Sequence, residues 1–339
     1  MESRERVLSM INAAWMCQAI ASACELKLPD HLARGPRDAG ELAAATATDA
    51  NCVARLLRAL VTLDLCEEHL DGTFTLTGDG ELLRSDAEQS LHGWARMSGT
   101  RLWNNWAQLA ESVRTGQSVR KRVLGADDFS PINDDAAASA LFNRAMADLT
   151  RPVALAAAEQ LDWSTHKLLV DVGSGPGELI ATILEHHVHL KGIAFDLDHA
   201  VAPAQERLRR SNLTRRCEVV AGSFFEGVPP GADTYLLKSV LHNWPDESAM
   251  AILARCREAM APEGTVILFE RVVPERYTSS NSHRDIARSD LNMLVGCDGC
   301  ERTEAQFRSM FAAAGFDLAR VSYLAAEVSA LEARRLRPA

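Results

Sequence analysis

The sequence is short of basic charge: 36 Lys and Arg stand against 46 Asp and Glu, a formal net charge of −10 over 339 residues. That balance argues against a general affinity for nucleic acid or an anionic membrane, both of which favour basic surfaces. It points to a small-molecule partner. The start, MESRERVLSM, has no cationic segment leading into an apolar stretch, and no span of about twenty apolar residues is read there; a cytoplasmic protein is expected. No glycine turn is followed by Gly-Lys-Ser/Thr, which excludes a P-loop. Tyrosine is scarce, at three residues, and there is no internal repeat or low-complexity tract. The eight cysteines are scattered, as reduced thiols are, and not spaced as a disulfide framework. Cys297 and Cys300 form a lone Cys-x-x-Cys, and Cys17, Cys24, Cys52, Cys66, Cys217 and Cys256 supply no second pair for a four-ligand zinc site. No metal is expected.

What is present is ordinary for a soluble two-domain protein, with 47% hydrophobic and 24% charged residues. One stretch organises the rest. Leu168 to Leu179, LLVDVGSGPGEL, runs from an apolar segment through Gly173, Gly175 and Gly177 into an apolar-periodic one, and so reads as strand, tight turn and helix. Glycines let the backbone approach a ligand closely, and the helix start offers free N–H groups. The third glycine comes too early for the Gly-x-Gly-x-x-Gly dinucleotide fingerprint. Further on, Asp196 ends a second apolar run, where a carboxylate can take both ribose hydroxyls. A nucleoside without a diphosphate is the expected ligand.

Towards the N-terminus, Arg4 to Leu32 carries Val7, Leu8, Ile11, Trp15, Ile20 and Leu26 with little polar surface in the middle, as in a helix that packs on a partner chain. A homodimer is expected. Pro36 and Arg37 open a short helix, Asp38 to Ala45, and Thr48 or Asp49 caps a second, Ala50 to about Leu63, with Val53, Leu56, Leu57, Leu60 and Val61 inward. Glu67 to Thr77 alternates around Asp71-Gly72, a hairpin signal. Together these make a winged-helix arrangement. Arg55 and Arg58 could reach a DNA groove from it, but the acidic balance and the apolar helix before it favour an oligomerisation module of the same shape.

Trp94, Trp103 and Trp106 fall in a helical stretch between Ser90 and Asn133, with a turn near Gly116 and a loop from Gly125 to Pro131; such an aromatic cluster is expected in a core. Asn133 or Asp134 is expected to cap a helix bearing Leu141, Phe142, Ala145 and Met146 on one face, and Pro152 to restart helix towards Leu161. From Lys167 strands and helices alternate, which implies a largely parallel sheet with helices on both faces. The predicted strands are Leu168 to Val172, Gly192 to Phe195, Cys217 to Ala221, Thr234 to Lys238 and Thr265 to Phe269. After a helix near Glu304 to Ala314, Phe316 to Leu324 and Val328 to Leu331 read as a closing antiparallel pair.

In such a sheet the carboxyl ends of the parallel strands share one edge, and ligands bind there. Gly173, Asp196, Ser223 with Phe224, His242 and Glu270 all fall at those ends. An imidazole titrating near roughly pH 6.5 can take a proton at neutral pH if a carboxylate steadies the imidazolium. Glu270 is placed to be that carboxylate for His242; the plainer alternatives are a packed ring and a surface ion pair with Arg271.

The segments VDVGSGPG, FDLDH, GSFF, LLKSVLHNWPDE, DLNML and GCERTEAQF, in this order, resemble class I S-adenosylmethionine-dependent O-methyltransferases. The nearest subgroup is that of plant caffeate- and hydroxyindole-type enzymes and bacterial natural-product tailoring enzymes. The N-terminal region is similar to that subgroup's dimerisation domain. The resemblance implies an α/β fold: a Rossmann-like methyltransferase sheet over residues 162–339, a mostly helical winged-helix dimerisation domain over 1–98, and a helical linker lining the cleft over 99–161.

It further implies that Gly173, Gly175 and Gly177 border the methionine part of S-adenosylmethionine, that Asp196 binds ribose beside Leu197, and that Ser223, Phe224 and Lys238 surround the adenine. His242 matches the family's general base, and Glu270 and Glu301 match the two acids that hold its imidazole. Met146 and Met293 match acceptor-lining methionines, with Asn292 and Trp103 as further pocket candidates. Two positions depart from the pattern: Ser223 stands where many relatives carry Asp, and Cys297 to Cys300 replaces a glycine-rich basic run. The implied reaction is metal-independent transfer of a methyl group to a hydroxyl of a small aromatic or heteroaromatic molecule, leaving S-adenosylhomocysteine. Alternatives are transfer to carbon or nitrogen, cofactor binding with other chemistry, and a winged-helix regulator.

Overall fold

The computed structural model describes residues 3–125 and 135–336. Two compact units divide the chain: Met1–Asn104 with Ala140–Leu149, and Asn105–Ser139 with Thr150–Ala339.

The first unit opens on the helix Ser3–Glu25, which buries only Ala21, Ala23 and Cys24. Val7, Leu8, Met10, Ile11 and Trp15 are exposed, Trp15 at 63%. Val7 to Cys24 contains no charged residue, and the helix is long and apolar enough to cross a membrane by length and composition. That corrects the expectation that no such span occurs here; Ser9, Asn12, Gln18 and Ser22 interrupt the run without adding charge. The helix also ends earlier than the apolar pattern: Lys27 is left-handed at φ 55°, and a new short helix, Leu28–Leu32, starts with Pro29 in its first turn.

Strand β1 (Arg37–Asp38) leads into the helix Ala39–Thr46, whose N-cap Asp38 forms a capping box with Glu41. Asp49 caps the helix Ala50–Val61. Strands β2 (Cys66–Glu68) and β3 (Thr73–Leu76) form the predicted hairpin and complete a sheet of order β1-β3-β2. Leu28, Leu42, Val53, Leu57, Leu60 and Phe74 fill its core.

Trp94, Trp103 and Trp106 do not form the expected core: all three keep solvent contact, Trp103 at 37%. The helical turn Trp103–Trp106 is too short to bury both of its ends, and it has no buried residue. The buried tryptophans are Trp163 and Trp244. Asn133, Asp134 and Pro131 lie outside the described residues; the helix that follows is Ala136–Gln160, capped by Asp135. Pro152 sits inside it and does not restart it. A mid-helix proline withdraws one N–H, here from the Asp148 carbonyl, a cost that the rest of a 25-residue helix absorbs.

The second unit is built on β4 (Leu168–Val172), β5 (Lys191–Asp196), β6 (Cys217–Ala221), β7 (Thr234–Lys238) and β8 (Thr265–Glu270). Next come the short β9 (Val272–Val273) and β10 (Arg302–Thr303), and then β11 (Phe316–Ala325) and β12 (Val328–Arg335). The large sheet has the order β11-β12-β8-β7-β4-β5-β6. Only β12 runs against its neighbours, pairing antiparallel with both β8 and β11. Strand residues alternate between two cores: Leu169, Ala194, Leu236 and Ile267 face one, and Val170, Phe195, Tyr235 and Leu268 the other. A sheet covered on both faces needs apolar residues at successive positions, which is why these strands read as near-continuous hydrophobic runs. β9 and β10 pair in parallel, Arg302 opposite Val272. That small bridge lies just after Glu270 and Glu301, and it brings the two acids to one place.

Candidate active site

At the carboxyl end of β4, Gly173, Gly175 and Gly177 have φ values of 72°, 53° and 75°. Left-handed backbone at three alternate positions favours glycine at each. A Cβ on Gly173 would lie 2.8 Å from Val240 Cγ2, whereas one on Gly175 would meet nothing within 4 Å. That open face is where a ligand can lie against the turn. Gly175 N–H donates to Asp196 Oδ2 at 2.6 Å, and Leu197 N–H to Oδ1 at 2.7 Å. Asp196 therefore joins the turn to the end of β5 and keeps acceptor capacity for hydroxyls. Phe224, after β6, lies 3.9 Å from a Gly173 Cβ position. Its ring meets Phe225 at 4.9 Å and Trp244 at 5.9 Å between centroids, edge to face. Ser223 Oγ accepts the Phe225 N–H, a bond within its own turn.

Replacing Gly173 with alanine is expected to cost about 1–3 kcal/mol of stability, from the left-handed φ and the push on Val240. A denaturant midpoint equal to wild type would overturn that reading of the turn.

Asp171, which sequence reading left without a role, is buried on β4 below the turn. Burial and then Asp196 push its carboxyl up to about 7, against the Ile180 N–H and Lys238, which pull it down. Lys238, at the end of β7, is drawn down to about 8 by burial and then by Arg271. Because the folded Asp171 holds its proton better than an unfolded carboxyl, its contribution to stability is greatest below about pH 4 and is lost as pH rises through about 7. Asp171→Asn is expected to stabilise the protein by about 1–3 kcal/mol at pH 8. It should also flatten the Tm profile across that window; parallel Tm curves for the two proteins would contradict it.

His242 occupies a one-turn 3-10 helix, Leu241–Asn243, that starts after Ser239, left-handed at φ 53°. Asn243 Nδ2 donates to the Ser239 carbonyl at 2.9 Å and closes the loop. His242 and its two glutamates are all buried. Nδ1 is 3.1 Å from Glu301 Oε1 and 3.5 Å from Glu270 Oε2.

The two acids divide the work differently from the sequence expectation. Glu301 makes the short imidazole contact, and its Oε1 also accepts from Ser289 Oγ at 2.6 Å. Glu270 Oε1 instead accepts the main-chain N–H groups of Val240, Leu241 and His242 at 3.1, 2.9 and 3.4 Å. Burial pulls the imidazole pKa down, but Glu270 and Glu301 together outweigh it and hold the ring above its ordinary value. Burial also raises Glu270. On Glu301 it is outweighed by His242, the Ser289 hydroxyl and Arg271, which leave that carboxyl low. Glu301 is therefore the ionised partner of His242.

The donor atoms of His242, Glu270 and Glu301 lie within 4.8 Å of one another, a spacing that a metal ion also accepts. Here each acid has one oxygen already engaged, Glu301 Oε1 by Nδ1 and Ser289 and Glu270 Oε1 by main-chain N–H groups.

Met293 is buried in the helix Asn281–Cys297, 3.7 Å from Cys297 Sγ between sulfur atoms. Asn292 Oδ1 accepts from Trp106 Nε1 at 3.0 Å. Trp103 and Met146 belong to the first unit. All eight cysteines are free, and burial raises the Cys297 thiol to about 11. Gly299 explains part of the departure at Cys297 to Cys300: a Cβ there would lie 1.9 Å from the His242 carbonyl. Sequence reading missed Ser289, Asp290, whose Oδ1 takes the Glu301 N–H at 2.9 Å, and Arg302. Their only signal was membership of the quoted DLNML and GCERTEAQF segments, or adjacency to them.

A seven-stranded sheet with one reversed strand beside its edge, a three-glycine turn and an acidic residue ending the next strand define a class I methyltransferase. Family profiles agree along the chain: residues 106–317 match the O-methyltransferase domain and residues 8–86 the O-methyltransferase dimerisation domain. The chain is 34% identical to a phenazine O-methyltransferase from Lysobacter antibioticus, over 97% of this chain and 95% of that one. Among solved structures, that of LaPhzM has a TM-score of 0.94 at 34% identity, covering 99% of this chain and 100% of the other. The O-methyltransferase NcsB1 of neocarzinostatin biosynthesis, solved with S-adenosylmethionine and 2-hydroxy-5-methyl naphthoic acid, has a TM-score of 0.76 at 34% identity over 94% and 96% of the two chains. The chain belongs to the O-methyltransferase family, and its cofactor is S-adenosylmethionine.

Proposed function

We propose that this chain methylates a hydroxyl of a small aromatic or heteroaromatic molecule of the phenazine or naphthoate kind, with His242 as the base. The observation that carries the proposal is the hydrogen bond between Nδ1 and Glu301 Oε1 at 3.1 Å, with the Glu270 carboxylate nearby at 3.5 Å. An acceptor at Nδ1 places the ring proton there and leaves the Nε2 lone pair for the acceptor hydroxyl. A phenol with a pKa of about 10 is a poor nucleophile while protonated. Nε2 would take the proton that the acceptor hydroxyl gives up as it accepts the methyl group. Glu301 then meets the imidazolium charge.

When bound, S-adenosylmethionine supplies an electrophilic methyl group. The open face of Gly175 and the acceptor capacity of Asp196 fit its methionine and ribose parts. On this reading Gly173, Gly177 and Leu197 complete that side, Ser223, Phe224 and Lys238 surround the base, and Met293 and Asn292 face the acceptor.

The proposal extends to assembly. A dimerisation domain whose first helix exposes Val7, Met10, Ile11 and Trp15 is suited to pair with a second copy, where those side chains would be buried.

The deciding experiment is transfer of label from methyl-labelled S-adenosylmethionine to hydroxyphenazines, hydroxynaphthoates and other small phenols, with their methyl ethers as controls. Labelled ether from the free hydroxyl alone supports the proposal. Label on carbon or nitrogen, or cofactor binding with no transfer to any phenol, rejects it.

A further inference from the structure

One buried side chain grips the His242 turn from both ends, and it has no part in the reaction as described above. Arg302 is 1% exposed. Its Nη1 donates to the Leu241 carbonyl at 3.0 Å, its Nη2 to the Trp244 carbonyl at 2.7 Å, and its Nε to Asp246 Oδ1 at 2.9 Å. Leu241 and Trp244 flank His242 and Asn243, so a single planar guanidinium spans the turn. Glu270 Oε1 holds the amides of the same segment. Two buried groups of opposite charge thus clamp one turn, the arginine by its carbonyls and the glutamate by its N–H groups.

The clamp is joined covalently to the imidazole's partner. Glu301 precedes Arg302 in the chain, and the pairing of Arg302 with Val272 places both beside the end of β8. A buried guanidinium is costly unless its donors are satisfied, and apolar residues of similar volume usually serve stability as well or better. Arginine at this position is therefore best explained by what its rigid fork holds. Lysine, a point charge on a flexible stem, cannot reach two carbonyls and a carboxylate in one plane.

We propose that Arg302 is a positioning residue for methyl transfer: it locks the turn Leu241–Trp244 against the Glu301 loop and so sets the geometry between His242 Nδ1 and Glu301. The proposal rests on the reading of His242 as the base.

Arg302→Lys keeps the positive charge beside Glu270 and removes only the fork; Glu270, Glu301 and Arg271, whose charges act on the imidazole, are untouched. It is expected to lower kcat by about 10- to 10²-fold, the scale of a misplacement near 1 Å. KM for S-adenosylmethionine should stay within about twofold of wild type, since interactions made only in the transition state move kcat alone. The His242 imidazole, followed by NMR in the S-adenosylhomocysteine complex, should titrate lower than in wild type because its contact with Glu301 loosens. His242→Ala assigns the resonance and runs beside it, with whichever hydroxyphenazine or hydroxynaphthoate accepts label.

Full activity in His242→Ala removes the base assignment. An inactive His242→Ala beside an Arg302→Lys with wild-type kcat and titration overturns the positioning role alone. Parallel loss of kcat, cofactor binding and thermal stability in Arg302→Lys also overturns it, as a general structural defect. If Arg302→Lys does not fold, Asp246→Asn carries the test, because it leaves the arginine in place and removes only its exposed partner. A few-fold fall in kcat with the same downward titration shift is expected there, and wild-type values for both overturn the proposal.

Discussion

His242→Ala is expected to lower kcat by about 10²- to 10⁴-fold, the usual worth of a positioned base, while S-adenosylhomocysteine affinity stays close to wild type. The two effects separate because the imidazole makes its hydrogen-bonding contact with Glu301, and the glycine turn and Asp196 form their own hydrogen-bonded group. The base must be neutral to accept a proton, so wild-type kcat should rise with pH. The midpoint should lie above the ring's ordinary 6.5, because the two glutamates outweigh the downward pull of burial. Rapid-quench turnover with labelled cofactor across pH 5 to 9 reads both quantities. Comparable turnover in wild type and His242→Ala, or a rise centred below the ordinary imidazole value, would remove His242 from the chemistry.

Glu270→Ala should produce the largest loss of stability of any substitution at the site, roughly 3–5 kcal/mol, the cost of removing one partner from a buried charged pair. The carboxylate does more than face the imidazole. Its Oε1 is the acceptor for three successive main-chain N–H groups, and alanine would leave those donors buried and unmatched. Glu270→Gln keeps an oxygen for those donors and gives up only the charge that faces the imidazole, so its loss should be smaller. Denaturant midpoints for the three proteins test this directly. Equal destabilisation by alanine and glutamine would show that the charge matters and the main-chain cradle does not; an alanine variant as stable as wild type would dismiss both.

Much of this was legible before any coordinates. The five parallel strands were placed to within one residue at either end, since strands covered on both faces must be apolar throughout and are bounded by turn residues. The helix Ala50–Val61 followed from a cap at Thr48 or Asp49, of which Asp49 is the one used, and the helix Ala39–Thr46 was placed to within one residue although Asp38 had been read as its first residue and is its cap. Pro152 misled, because proline's local preference for a helix start yielded to the packing of a long helix. The tryptophans misled for a related reason: aromatic content says how much surface there is to bury and nothing about which face receives it. The uncharged run from Val7 to Cys24 was undervalued because Ser9, Asn12, Gln18 and Ser22 interrupt its apolar residues without adding charge. Within the site, His242, Glu270 and Asp196 were found by their positions at strand ends, a consequence of chain order alone. Glu301 came only through family resemblance. Arg302, Ser289 and Asp290 were not found, because no spacing in the chain announces a contact made across 11 to 61 residues.

The sequence alone therefore determined the strands of the sheet, the glycine turn and the acid that ends the next strand, all products of local periodicity and of the rule that parallel strands share one carboxyl edge. Only the tertiary structure decided which glutamate holds the imidazole. The short pairing of β9 with β10 sets Glu301 against Nδ1 and turns one oxygen of Glu270 onto the main chain. A difference of a few tenths of an ångström between two acids is a matter of packing, to which residue order is blind.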